Sequence, residues 1–133
     1  MRCSVTSLDH VALTVRNIPN TLDFYTRILD TDTELVQPES GPARFALRCG
    51  AQKIDLQETG REEHPSAAVS TTGAADLCFL SRTPLADWVD HLQTQGIKIL
   101  AGPEPRIGAR GLLQSIFIRD PDQNLIEIAN LRC

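Results

Sequence analysis

Residues 8–29 read L-D-H-V-A-L-T-V-R-N-I-P-N-T-L-D-F-Y-T-R-I-L, and two periods meet inside them. Val11, Leu13 and Val15 alternate with His10, Ala12 and Thr14, the period of a strand with one apolar face. Asn17-Ile18-Pro19-Asn20 interrupts the alternation. Leu22, Tyr25, Ile28 and Leu29 then recur at helical spacing, which predicts an amphipathic helix over 20–29, capped by Asn20 or Thr21 and with Asp23 in its first turn. Asp30 ends it, in the left-handed conformation that Asp tolerates better than most residues. Strands are predicted at 33–37, 43–49 and 52–57. Pro38, Ser40, Gly41 and Pro42 separate the first two, and Gly50 separates the last two.

After a linker over 59–73, rich in Gly, Ser, Thr, Glu and Pro, the same order begins again. A strand is expected over 75–80, with Leu77 and Phe79 on one face and Asp76, Cys78 and Leu80 on the other. Thr83-Pro84 opens a second helix with Leu85, Trp88, Val89 and Leu92 as its stripe, and Gly96 closes it. Strands follow at 97–101, 112–119 and 124–129, with a long loop over 102–111. Leu13, Leu22 and Asp30 map onto Phe79, Trp88 and Gly96, each 66 positions on, and Ile54-Asp55-Leu56 onto Ile126-Glu127-Ile128 at 72. This is an internal β-α-β-β-β repeat. The fold class is α+β: one domain over 7–131, built of two paired modules (7–58 and 74–131) whose curved, antiparallel-rich sheets form a cleft with the helices outside.

A chain of 133 residues has room for one compact domain or two small modules sharing a core. Its net charge of −4 lacks the basic excess of a phosphate-backbone binder, so no nucleic-acid partner is expected. No apolar run reaches the ~18 residues of a membrane span, and Met1 to Thr6 lack the apolar core of a signal peptide. A cytoplasmic protein is expected. The four cysteines, Cys3, Cys49, Cys78 and Cys133, contain no C-x-x-C pair and match no zinc ribbon, so they read as reduced thiols.

Strand alternation sorts the polar residues. If Val11, Leu13 and Val15 face a helix, His10 faces the opposite side. Asp76 lies opposite Leu77 and Phe79, Glu127 between Ile126 and Ile128, and Asp55 between Ile54 and Leu56 with Gln57 on its own face. By the repeat offsets His10 corresponds to Asp76 and Asp55 to Glu127, and a pseudo-two-fold brings all four positions together. One imidazole with two or three carboxylates is a mixed N/O donor set, suited to one divalent ion: Zn, Ni, Mn, Fe or Co. An isolated carboxylate on a buried face is costly, which favours a metal or polar catalytic site over a structural role.

At these residues the chain resembles the vicinal oxygen chelate superfamily of glyoxalases, fosfomycin- and bleomycin-resistance proteins and extradiol dioxygenases. The opening stretch quoted above looks like the first module of that family. The ending F-I-R-D-P-D-Q-N-L-I-E-I (117–128) looks like its last hairpin, with Gln123 where the family turn usually has Gly. Through G-P-E-P-R-I-G-A-R-G (102–111) the likeness is nearest to glyoxalase domain-containing proteins and their bacterial relatives. The resemblance implies paired modules, a homodimer, and metal ligands on the first and last strands of each module: His10, Asp76, Glu127, and Asp55 or Gln57. Asp76 stands where many metal-dependent members carry His.

The resemblance also implies a chemistry, in which a divalent metal chelates vicinal oxygens of a small substrate. A carboxylate ligand, Glu127 or Asp76, is the candidate base, with Glu127 the candidate catalytic residue. Arg106 and Arg110 would hold an anionic substrate group, and Gln57 and Cys78 would line the cavity. The leading reading is a metal-dependent enzyme of glyoxalase, lyase or isomerase type. The alternatives are a metal-dependent transferase or dioxygenase on the same fold, and a metal-free drug- or metabolite-binding protein of bleomycin-resistance type.

Overall fold

In the computed structural model, residues 2–132 are described. Met1, from which the leader reading starts, and Cys133 lie outside them. The chain divides into two compact units between Ser70 and Thr71. Each holds one helix and one four-stranded mixed sheet. No helix among the described residues is long and apolar enough to cross a membrane.

The first unit runs β1 (His10–Val15), α1 (Ile18–Arg27), β2 (Asp32–Val36), β3 (Arg44–Cys49) and β4 (Gln52–Glu58). Its sheet order is β1-β4-β3-β2. The first strand pairs with the last in parallel, and the other two pairings are antiparallel. A parallel pair needs a crossover, which α1 begins. Phe24 and Tyr25 of α1 are buried, as are Leu13, Val15, Leu47, Ile54 and Leu56, so the alternation read from 8–15 reports the helix-covered face.

The helix starts earlier than the sequence reading placed it. Asn17, not Asn20 or Thr21, is the cap: its side-chain oxygen accepts from the backbone N–H of Asn20 at 2.8 Å. Pro19, within the segment that ends the strand, lies in the first turn of the helix, where its missing N–H has no intrahelical partner to lose. The other end follows the sequence: Asp30 has φ +57°, and Gly96, its counterpart in the repeat, has φ +73°.

The second unit runs β5 (Asp76–Leu80), α2 (Leu85–Thr94), β6 (Ala101–Gly108), β7 (Gly111–Arg119) and β8 (Leu125–Leu131), in sheet order β5-β8-β7-β6. Again first and last strands pair in parallel. Ile116, Ile118, Ile126 and Ile128 are buried on one face, with Leu85 and Leu92 of α2 also buried. Asn130 of β8 caps α2 from outside: its Oδ1 accepts from the Leu85 N–H at 3.0 Å, while its Nδ2 donates to the Ser81 and Thr83 carbonyls, each at 2.9 Å. Pro84 has no side-chain donor or acceptor, so this amide does the capping.

The D-P-D-Q-N turn fastens the unit. Asp120 Oδ1 accepts from the backbone N–H groups of Asp122 and Asn124, and its Oδ2 accepts from Asn124 Nδ2. Asn124 Oδ1 then accepts from the Ala75 N–H at 2.9 Å, holding the entry to β5.

The region 97–111 corrects the sequence reading. Residues 97–100 form no strand, and the expected loop over 102–111 is strand β6 and a two-residue turn at Ala109-Arg110. Two prolines and three glycines suggested a loop. An edge strand tolerates them, because half of its backbone groups pair with no neighbour. A register shift between Ala101 and Glu104 takes up Gly102-Pro103. Gly102 has φ +93°, and a Cβ there would stand 2.3 Å from the Ser115 carbonyl oxygen, so only glycine fits.

The left-handed backbone at Asp30 yields a direct test. Asp30→Gly removes the Cβ strain and adds chain entropy to the unfolded state, for a net stabilisation of at most about 1 kcal/mol. Thermal denaturation should show an equal or higher melting temperature; a clear drop would mean that the Asp30 side chain contributes more than the backbone strain costs.

Candidate functional site

Each sheet has a face away from its helix, and the predicted site residues other than Arg110 lie on those faces. In the first unit β1 presents His10, Ala12 and Thr14. Beside it β4 presents Lys53, Asp55 and Gln57, since the parallel register sets His10 against Lys53, Ala12 against Asp55 and Thr14 against Gln57. His10 Nδ1 lies 2.8 Å from Asp9 Oδ2, and His10 Nε2 lies 3.5 Å from Asp55 Oδ2. The hydrogen bond and charge of His10 hold the exposed Asp9 carboxyl below its ordinary range. The separation of 3.5 Å is long for a hydrogen bond. It is close to the ~3.4 Å between two donor atoms that share a tetrahedral ion at 2.0–2.2 Å.

The sequence reading missed Lys53. Its Nζ stands 3.1 Å from Asp55 Oδ1, and both side chains are half-buried. Asp55 thus already carries an internal cation. The repeat gave no hint of this, because the equivalent position in the second module is Leu125. Gln57 Nε2 donates to Thr14 Oγ1 at 2.9 Å, which fixes its amide on the same face.

In the second unit β5 presents Asp76, Cys78 and Leu80, and the register sets Asp76 against Leu125 and Cys78 against Glu127. Asp76 and Glu127 therefore stand diagonally, as His10 and Asp55 do, and Cys78 occupies the place of Ala12. Glu127 is half-buried, and its Oε2 accepts from Ser115 Oγ at 2.6 Å. Cys78, like Cys3, is an exposed residue, yet its thiol is pushed up to about 11. Lost hydration at the sulfur is the largest cause, followed by the charge of Glu127, a hydrogen bond to it, and the charge of Asp76. The thiol stays protonated at neutral pH and is no nucleophile there. Ser115 was also missed, although a serine inside L-L-Q-S-I-F-I is the polar break that alternation should have flagged.

The two arginines differ. Arg106 leaves β6 on the helix-free face, where its guanidinium lies 4.9 Å from the centre of the Phe117 ring and its Nη2 is 3.0 Å from Glu104 Oε1. This stacked and paired guanidinium is held in place. Arg110 is exposed in the turn between β6 and β7. Neither flanks a long loop, since that loop is a strand.

Within the first unit an imidazole nitrogen and a carboxylate form a donor pair, and within the second two carboxylates do; each pair is of a type that divalent ions accept. Among the described residues no three His, Cys, Asp or Glu side chains form a ready-made metal cluster. What each unit offers by itself is a pair.

Fold and residues together define a twofold-repeated module protein with polar groups on its helix-free sheet faces. Residues 7–128 match the Glyoxalase/Bleomycin resistance protein/Dioxygenase superfamily, and the chain belongs to that family. It is similar to the glyoxalase domain-containing protein RDO1 of Mycosarcoma maydis, at 45% identity over 127 residues, covering 96% of this chain and 69% of that protein. It is also similar to the virulence protein STM3117 of Salmonella typhimurium, at 44% identity over 122 residues, covering 92% of this chain and 82% of that one. The crystal structure of STM3117 superposes with a TM-score of 0.89 at 42% identity, covering 98% of this chain and 100% of that chain. An integron cassette protein from the V. cholerae mobile metagenome, VCH_CASS1, gives 0.89 at 40% identity, over 99% and 100% of the two chains.

The state of Cys78 is open to measurement. At pH 8 it should react with iodoacetamide about tenfold or more slowly than the exposed Cys3, with its rate climbing only toward pH 11. Glu127→Gln removes one of the charges that raise the thiol, so the climb should move to lower pH. Peptide mass spectrometry reads both; equal rates for Cys3 and Cys78 at pH 8 would contradict the account.

Proposed function

We propose that the chain is a metal-dependent enzyme of glyoxalase type, a lyase or isomerase, acting on a small molecule with vicinal oxygens. The observation that carries this is the matched diagonal of donors in the two modules, His10 with Asp55 and Asp76 with Glu127, on the parallel first-and-last strand pair of each. His10, Asp76 and Glu127 would hold one divalent cation (Zn, Ni, Mn, Fe or Co). Asp55 or Gln57 would serve as fourth ligand or as support. When bound, such an ion polarises a substrate carbonyl. Glu127 would take the proton from the carbon beside that carbonyl and deliver it to the former carbonyl carbon, its orientation kept by the Ser115 hydroxyl. The Arg106 guanidinium, steadied by Phe117 and Glu104, would hold an anionic group of the substrate by paired hydrogen bonds. Gln57 and Cys78 would line the space, with Arg110 near its edge.

One observation favours a second reading. Lys53 Nζ at 3.1 Å already neutralises Asp55, and a lysine there would repel a neighbouring cation. A metal-free protein that binds a drug or metabolite would have no such conflict. Calorimetric titration of Mn²⁺, Ni²⁺ or Zn²⁺ separates the two. The enzyme reading expects one saturable site per chain and a loss of at least about 100-fold in affinity for Glu127→Ala. No saturable binding to the wild type would leave the metal-free reading standing.

We also infer a homodimer. Leu80 and Leu131, on the helix-free face of the second sheet, are 43% and 45% exposed, which suits a surface that another copy covers. Light scattering should give twice the chain mass of 14.6 kDa at micromolar concentration; a monomer throughout would refute this.

A further inference from the structure

Glu127 is half-buried on the helix-free face of the second sheet, and the group that meets its Oε2 is a serine that is itself fully buried. The register pairs Ser115 with Ala129 and Phe117 with Glu127, so the hydroxyl and the carboxylate are diagonal neighbours across β7 and β8. Ala129 is small and buried, which leaves room for the glutamate to lean back along the strand. The contact is 2.6 Å, the short range of a hydroxyl donating to a charged oxygen. The serine has little freedom of its own. On its other side β6 passes so close that the Gly102 Cα leaves no space for a side chain against the Ser115 carbonyl.

We propose that Ser115 is a positioning residue: it fixes the Glu127 carboxylate in one rotamer and aims it for ligation and proton transfer. This rests on the reading of Glu127 as metal ligand and base. Glutamate has three side-chain torsions, and a half-exposed one would otherwise sample several. A donor anchored in a buried, doubly braced strand removes that sampling before any ligand arrives, and so lowers the ordering cost of binding. Groups behind a metal ligand commonly change affinity by about 10–100-fold when removed. Alternation put Glu127 on the right face of β8, but a strand leaves such a side chain free to swing. The serine supplies a constraint that the strand does not, beside the hydrogen bond between Glu127 and the Cys78 thiol.

The test begins with the metal-free protein. Side-chain NMR couplings of Glu127 should report a single χ1 rotamer in the wild type and rotamer averaging in Ser115→Ala. Ser115→Cys, of similar volume with a weaker donor, should fall between them. Melting temperatures of the three proteins serve as the folding control. Identical Glu127 couplings in all three would overturn the proposal, whatever the metal results. Mn²⁺ titration then follows: Ser115→Ala should bind about 10–100-fold more weakly, and affinity equal to the wild type would also overturn the positioning role. If the wild type itself binds no Mn²⁺, the metal-dependent reading fails on its own, and the rotamer measurement still decides whether Ser115 holds Glu127.

Discussion

The parallel pairing of first and last strands governs each module. Two parallel neighbours cannot be joined by a hairpin, so everything between β1 and β4, or between β5 and β8, must travel out and return. The helix begins the excursion and the two middle strands complete it. The pairing also puts the two chain segments that carry the candidate donors side by side. His10 and Asp55 are 45 residues apart in sequence, and Asp76 and Glu127 are 51, yet each pair lies one diagonal step apart. Since each helix covers one face, the period of two sends the polar residues of these strands to the other.

That rule was enough to read most of the fold from the sequence. Alternation at 8–15 and 75–80, the helical stripes, and the left-handed stops at Asp30 and Gly96 all depend on local preference, and local preference is what a sequence displays. The strand 101–108 was illegible for the opposite reason. Its prolines and glycines argue for a loop by every local measure, and only the pairing with β7 turns it into an edge strand. The segment 17–20 ends the strand and also starts the helix, and the apolar stripe that begins at Leu22 does not show that Asn17 is the cap and Pro19 part of the first turn.

The candidate site divides in the same way. Face assignment follows from alternation, and it placed His10, Asp55, Gln57, Asp76, Cys78 and Glu127 on helix-free faces. Partners do not follow from alternation. Lys53 is the exception, two residues before Asp55 on β4 and so on its face, but Ser115 behind Glu127 and the Phe117 ring under Arg106 are contacts between neighbouring strands, set by register. Register is decided by turns and bulges, such as the one at Gly102-Pro103, that no single stretch of sequence encodes.

The link from the D-P-D-Q-N turn to the start of β5 has a further consequence for how the molecule is made. Asn124 and Ala75 are 49 residues apart, and β5 finds its parallel partner only in β8. Closing a loop of that length costs entropy before any contact repays it. On a ribosome, which delivers the chain from its N-terminus, the first module has all its strands once residue 58 has emerged. The second has neither its clamp nor its parallel pair until residues beyond 124 are free. During that interval β5 and α2 have their apolar faces uncovered, as β1 and α1 do until β4 has emerged, and each module passes through its own period of greatest risk of misassociation just before its last strand is free.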